Sequence, residues 1–232
     1  MSTTIHTALV LFVRSFHEES KAKDLFAVKA KGKQLYGSLV HRIGEQAKKI
    51  NADFFQFKTD QQKGSNFDEK IKNAFQHFFD EGYDKVILIG NDCPGMGKVE
   101  FKAAIQALDY SGLVLGPTNL GGVYLIGCTS IFYNSKFSNQ QITWNTNRVY
   151  EDLILLNGSD SYILRCHNEL NHLGNISSLI SQLHGFRHFG EILNIFRKTS
   201  KSPMKEISLN KNKFYSLFSL RGPPLLFFVV EV

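Results

Sequence analysis

The stretch Lys85-Val-Ile-Leu-Ile-Gly-Asn-Asp-Cys-Pro-Gly95 decides the fold. Four consecutive apolar residues, Val86 to Ile89, leave no solvated face. The segment therefore reads as a strand buried on both sides, as in a parallel sheet. It stops at Gly90, and Asp92 follows in a turn set by Pro94 and Gly95. A carboxylate at the end of a buried strand either caps the next turn or binds a hard cation. Mg²⁺ takes one or two carboxylates together with phosphate oxygens. Two phosphate-loop readings of the same segment fail. Met96 stands where a P-loop needs Lys, and Glu100 stands where a dinucleotide fingerprint begun at Gly95 needs its third Gly.

Working outward, the pattern repeats. Ile5–Val13 is another nearly continuous apolar run. Leu35, Leu39, Ile43, Ala47 and Ile50 recur at spacings of three and four, which makes one helix face. Asp53–Phe57 is a short strand. Asn66 and Glu69 hold the N-cap and N3 places of a capping box. The helix they open carries Phe67, Ile71, Ala74, Phe75, Phe78 and Phe79 on one side and stops at Gly82. Lys98–Leu108 is a helix with Phe101, Ala104, Ile105 and Leu108 inward. Gly112–Gly116 and Val123–Gly127 are strands, and Asn147–Leu156 is a helix.

Strand and helix thus alternate. Right-handed crossovers then imply a mostly parallel, doubly wound α/β sheet with helices on both faces. Ligands bind such sheets at the carboxyl ends of the strands, so the loops after Val13, Ile89 and Leu115 are the candidates. Beyond residue 156 the reading is helices at Ile176–Leu183 and Glu191–Arg197, a polar loop at Thr199–Lys213 and a strand at Leu225–Val232. One domain is expected over residues 1–232, with a motif-bearing nucleotide-binding part (1–156) and a C-terminal part (157–232).

The 232 residues, 43% hydrophobic and 21% charged, exclude a disordered, collagen-like or coiled-coil chain. Phe occurs 20 times, which predicts a bulky core and leaves room for an apolar contact with a protein partner. The net charge, 27 − 21 = +6, favours phosphate-bearing or otherwise anionic partners. Two Lys clusters, Lys21 to Lys33 and Lys198 to Lys213, read either as surfaces for an anionic partner or as solvated loops, the second more readily as a loop. Three widely spaced cysteines with no CxxC predict a reducing compartment, hence a cytoplasmic protein. The runs Ala8–Val13 and Leu225–Val230 are too short to span a bilayer.

Further segments carry residues suited to a site. Gly121 and Gly122, just before a strand, serve either close approach of a ligand or a tight connection between strands. Trp144, the only tryptophan, either stacks on a base or sugar or fills the core. Thr146 is placed to cap the next helix. Cys93 has no neighbouring base and reads as packing. His184 and His188, four apart with Gly185 between, have no third ligand for zinc.

Four blocks in order resemble an uncharacterised glycosyltransferase-like family of the GT-A type, which includes arsenosugar-biosynthesis-type glycosyltransferases. It belongs to the nucleotide-diphospho-sugar transferase superfamily. The blocks are Gly64–Phe75, Val86–Pro94, Val114–Pro117 with Gly121–Gly127, and Trp144–Thr146. The resemblance implies a GT-A-type α/β/α sandwich and transfer of a sugar from a nucleotide-diphosphate donor to an acceptor that the sequence does not identify. It implies Mg²⁺ or Mn²⁺ at Asp92 once nucleotide is bound, and no nucleic-acid partner. The ligand would meet Phe12, Arg14, Lys21, Lys23, Asn91, Asp92, Gly116, Pro117, Gly121, Gly122, Trp144 and Thr146. Two departures stand out. The first loop, Arg14–Lys23, has no glycine for a backbone phosphate cradle, and Leu120 replaces the acid that commonly precedes the paired glycines. No general base is assigned. A nucleotidyltransferase on the same fold, and a lapsed enzyme that only binds a nucleotide or a protein, are the alternatives.

Overall fold

The computed structural model describes residues 5–23 and 29–170. The readings made for the segments beyond residue 170, including His184 and His188, lie outside the described residues.

Strand β1 (Thr7–Val13) is the long apolar run, buried from its second residue to its last. A short helix, α1 (Phe16–Ala22), follows, then α2 (Lys29–Ala47) and strand β2 (Asp53–Lys58). Next come α3 (Phe67–Asp80), β3 (Lys85–Ile89), α4 (Lys98–Ala107), β4 (Leu113–Pro117) and β5 (Val123–Thr129). The turn α5 (Ser130–Phe132) runs into a π-helical turn at Tyr133–Phe137. Helix α6 (Val149–Leu155) and strand β6 (Tyr162–Ile163) complete the described chain.

The strands form one sheet in the order β2-β1-β3-β5-β4-β6. Pairs β1–β2, β1–β3 and β4–β6 are parallel, whereas β5 runs antiparallel to both β3 and β4. The reversal of β5 follows from its short connection to β4. A parallel crossover needs a dozen or more residues, and only Thr118 to Gly122 separate the two strands. As a result β5 begins at the edge of the sheet where β1, β3 and β4 end.

Alternation along β1 builds a core on each face. Leu9, Leu11 and Val13 pack with Ile43 and Ala47 of α2 and Phe101 and Ala104 of α4. Ala8, Val10 and Phe12 pack with Ile71, Phe75 and Phe78 of α3 and Leu153 of α6. The result is a three-layer α/β arrangement, with the expected inward residues of α2, α3 and α4 in place.

The chain leaves β1 toward β2 on one side and returns to β3 on the other. The order of the sheet therefore reverses between β1 and β3, and a crevice opens beyond their carboxyl ends.

Candidate functional site

A cavity of about 580 Å³ lies at this crevice. Its walls come from the ends of β1 and β3, the start of β5, helix α1, and the loop that carries Trp144. Of the residues expected from sequence, Phe12, Arg14, Lys23, Asn91, Asp92, Gly122, Trp144 and Thr146 line it.

The other expected residues stand elsewhere. Lys21 is exposed and does not face the cavity. Gly116 and Pro117 are buried in β4, and a Cβ added at Gly116 would meet the Tyr124 ring at 2.4 Å. Gly121 has φ +80°, and a Cβ there would lie 2.0 Å from the Asn147 carbonyl oxygen. These two glycines therefore serve close packing of the chain on itself rather than approach of a ligand. Thr146 does not cap α6 with its side chain. The N-cap is Arg148, and the Thr146 hydroxyl donates to the Thr143 carbonyl at 2.7 Å.

One wall is aromatic. The Phe67 ring meets Phe12 edge-on at 6.0 Å and Trp144 at 5.3 Å, and the Arg14 guanidinium sits 5.4 Å over the centre of the same ring. Trp144 packs against the core and also faces the cavity, with its indole N–H donating to Asp68 Oδ1 at 2.7 Å. Asn145, beside it, has φ +62°.

A second part of the lining is charged, and helix α1 contributes to it. The Ser15 side chain accepts from the Glu18 backbone N–H, while Glu18 Oε2 accepts from the Ser15 N–H at 3.1 Å. This capping box fixes where the helix starts. The Thr59 hydroxyl also donates to Glu18, tying the start of α1 to the end of β2. Glu19 and Lys23, one turn apart, then face inward. The Lys23 ammonium contacts the Asp92 carboxylate directly and lies 3.7 Å from Glu19 Oε2. Burial opposes the charge on Lys23, but Asp92 and Glu19 outweigh it and hold the ammonium above its ordinary range. Glu19 is also raised: burial and then the Asp92 charge push its carboxyl above the ordinary range, against the pull of Lys23 and Arg14.

Three buried polar atoms here lack a hydrogen-bond partner among the described residues: Asn91 Nδ2, Glu19 Oε2 and Lys23 Nζ, the last of which is held by its ion pairs. Asn91 is 3% exposed and lines the cavity. A buried amide donor without an acceptor is costly unless a ligand completes it. Cys93, behind Asp92, is fully buried, and its thiol is pushed up by burial, which fits packing rather than nucleophilic work.

A strap from β6 to Leu170 runs beside the site. His167 N–H donates to the Pro117 carbonyl, Asn119 N–H to the His167 carbonyl, and Leu170 N–H to the Asp92 carbonyl at 2.8 Å. His167 Nε2 pairs with Glu100 Oε1 at 3.0 Å, pinning the strap to α4. The strap brings Glu169 to the cavity. Leu120 also lines the cavity and is half exposed.

Glu19, Phe67, Asn145, Asn147 and Glu169 are lining residues that sequence reasoning missed. Ser15-Phe-His-Glu18 was a readable capping box that would have placed Glu19 on a helix and Lys23 one turn beyond it. Glu169 had no local signal.

The residues suit a divalent cation in chemistry. Asp92 and Glu19 supply oxygen donors, and the Lys23 ammonium stands as a cation between them. Among the described residues, no group of three His, Cys, Asp or Glu could hold a metal unaided. Ligand oxygens would therefore have to complete the coordination.

Residues 25–146 match the profile of a family described as "Uncharacterized protein conserved in bacteria (DUF2064)". No curated protein matches the chain significantly. The crystal structure of a provisionally assigned nucleotide-diphospho-sugar transferase from Desulfovibrio desulfuricans G20 superposes with a TM-score of 0.61. It is 19% identical, and the match covers 83% of this chain and 99% of that one. A cytidylyltransferase from Leptospira borgpetersenii serovar Hardjo-bovis (strain JB197) superposes with a TM-score of 0.49 at 9% identity, covering 84% of this chain and 95% of that one. The first comparison shows a shared fold. Among the described residues, no helix is long and apolar enough to cross a membrane.

Proposed function

The chain belongs to the bacterial family DUF2064, and from that premise we propose that its β1/β3 crevice binds a nucleotide-diphosphate sugar and transfers the sugar to an acceptor. One observation carries this reading. A single cavity joins two cations, Arg14 and Lys23, and the unpartnered amide of Asn91 to an aromatic wall of Phe12, Phe67 and Trp144. A diphosphate needs positive charge and donors, and a nucleoside needs apolar faces to stack on. Assignment of the structurally similar Desulfovibrio protein to nucleotide-diphospho-sugar transfer supports the choice.

In sugar transfer the bond between the anomeric carbon and the diphosphate oxygen breaks. The electron pair leaves with the diphosphate, and an acceptor hydroxyl takes its place and loses a proton. Arg14 and Lys23 offset the charge on the leaving group, and they do so most in the transition state, where that charge develops. Asn91 donates to an oxygen of the ligand. Glu169, a carboxylate lining the same cavity, would receive the acceptor's proton. With nucleotide bound, Asp92 would hold Mg²⁺ or Mn²⁺, which supplies further charge stabilisation to the diphosphate.

A thermal-shift panel of nucleotide-diphosphate sugars, nucleoside diphosphates and nucleoside triphosphates tests the proposal. A ligand at about 100 times its dissociation constant stabilises by about 2.7 kcal/mol. The sugar donors and diphosphates are expected to raise the melting temperature in wild type and to lose that effect in Arg14→Ala. A response to triphosphates alone would move the reading to nucleotidyl transfer. No response to any nucleotide would remove the enzymatic reading.

A further inference from the structure

We propose that Lys23 is a built-in placeholder cation: it holds Glu19 and Asp92 together while the site is empty, and the phosphates of the incoming ligand draw it off, opening the two carboxylates to a divalent ion. The inference rests on the nucleotide reading above and adds to it a second carboxylate and an order of events.

Geometry is the main support. Lys23 contacts Asp92 and stands 3.7 Å from Glu19 Oε2, and its side chain is 13% exposed. An ion at the roughly 2.1 Å that Mg²⁺ takes from a carboxylate oxygen would press against this ammonium. Metal and ammonium therefore compete for one place. Removing the ammonium leaves two carboxylates in one place, with the Glu19 side chain 6% exposed and its Oε2 already without a hydrogen-bond donor. Two carboxylates left this close in a buried place call for a proton or a hard cation to offset their charge. Lys23 itself has an alternative partner, because it lines the same cavity as Arg14, where the diphosphate would lie. Its flexible four-carbon stem allows the ammonium to move from carboxylate to phosphate, which a rigid guanidinium fork does less readily. Metal and nucleotide then bind cooperatively, each removing what opposes the other.

The decisive test uses Mn²⁺ alone, without nucleotide, read by titration calorimetry and by the loss of the free-ion electron paramagnetic resonance signal. Wild type and Lys23→Arg should bind Mn²⁺ at least about tenfold more weakly than Lys23→Met. Lys23→Met/Asp92→Asn and Lys23→Met/Glu19→Gln should each lose the gain. Far-ultraviolet circular dichroism identifies any variant that has not folded, and Lys23→Gln then replaces Lys23→Met. A Lys23→Met or Lys23→Gln protein that is folded and gains no Mn²⁺ affinity would overturn the proposal. So would wild type binding Mn²⁺ alone as tightly as the variant, or full retention of the gain without Glu19. A second arm adds inorganic pyrophosphate or a nucleoside diphosphate to wild type, where Mn²⁺ affinity should rise. Failure of the nucleotide to bind at all would sink the transferase reading, while the Mn²⁺-only comparison would still decide the role of Lys23.

Discussion

Gly121 separates a ligand glycine from a folding glycine. Its φ of +80° is open to glycine and strained for other residues, and the Asn147 carbonyl oxygen fills the space where a side chain would begin. The Tyr150 N–H also donates to its carbonyl at 3.0 Å, so the 145–150 segment is seated directly on this turn. Gly121→Ala should destabilise the protein by at least about 2 kcal/mol, combining backbone strain with a backbone clash. Gly82 is the control. It has φ +92° and nothing within 4 Å of an added Cβ, so Gly82→Ala should cost only about 1 kcal/mol. Urea unfolding of the two variants reads the contrast, and equal losses would show that the 121–147 contact has no energetic weight.

At the scale of elements, the sequence was most legible where burial is two-sided. The runs in β1 and β3 contain almost nothing but apolar residues, and both lie inside the sheet. Helix α3 showed itself by its stripe of Ile71, Ala74, Phe75 and Phe78. Helix α1 was hidden because its inward side is charged: Glu19, and Lys23 at its C-cap, occupy places that a hydrophobic pattern expects to be apolar. Strand β6, at two residues, is too short to carry any alternation. The direction of β5 could have been read from the five-residue connection before it, but the alternation of elements suggested a parallel strand.

The strap after β6 gives a prediction about pH. Burial raises Glu100, but the hydrogen bond from His167 and backbone N–H groups at the start of α4 outweigh it, and its carboxyl sits below the ordinary 4.5. A depressed folded value means stability that is present in full above about 4.5 and is lost as pH falls through the folded value. Glu100→Gln should therefore cost about 1–3 kcal/mol near neutral pH, and the gap to wild type should narrow by about pH 3. Denaturant titrations at the two pH values measure it. A gap that stays constant would mean that the charge of Glu100 does not hold the strap.

For the whole molecule, what matters is that one edge of the sheet collects everything the site needs. Carboxyl ends of β1 and β3 supply Phe12, Arg14, Asn91 and Asp92, and the reversed β5 brings Gly122 to the same edge. Sequence order alone located these loops, because strand ends in a doubly wound sheet gather by topology. It did not locate Glu19 or Glu169, whose approach depends on a helix start and on a strap spanning the end of β4. Nor did it separate lining glycines from packing glycines, since both obey the same local pattern. The central claim is that the β1/β3 crevice holds a nucleotide diphosphate. A crystal structure of the protein with a nucleotide-diphosphate sugar and Mn²⁺ tests it most directly. The diphosphate should contact Arg14 and Lys23, with the nucleoside or sugar against Phe12, Phe67 and Trp144. A ligand bound away from this edge, or a diphosphate that touches neither Arg14 nor Lys23, would contradict the account.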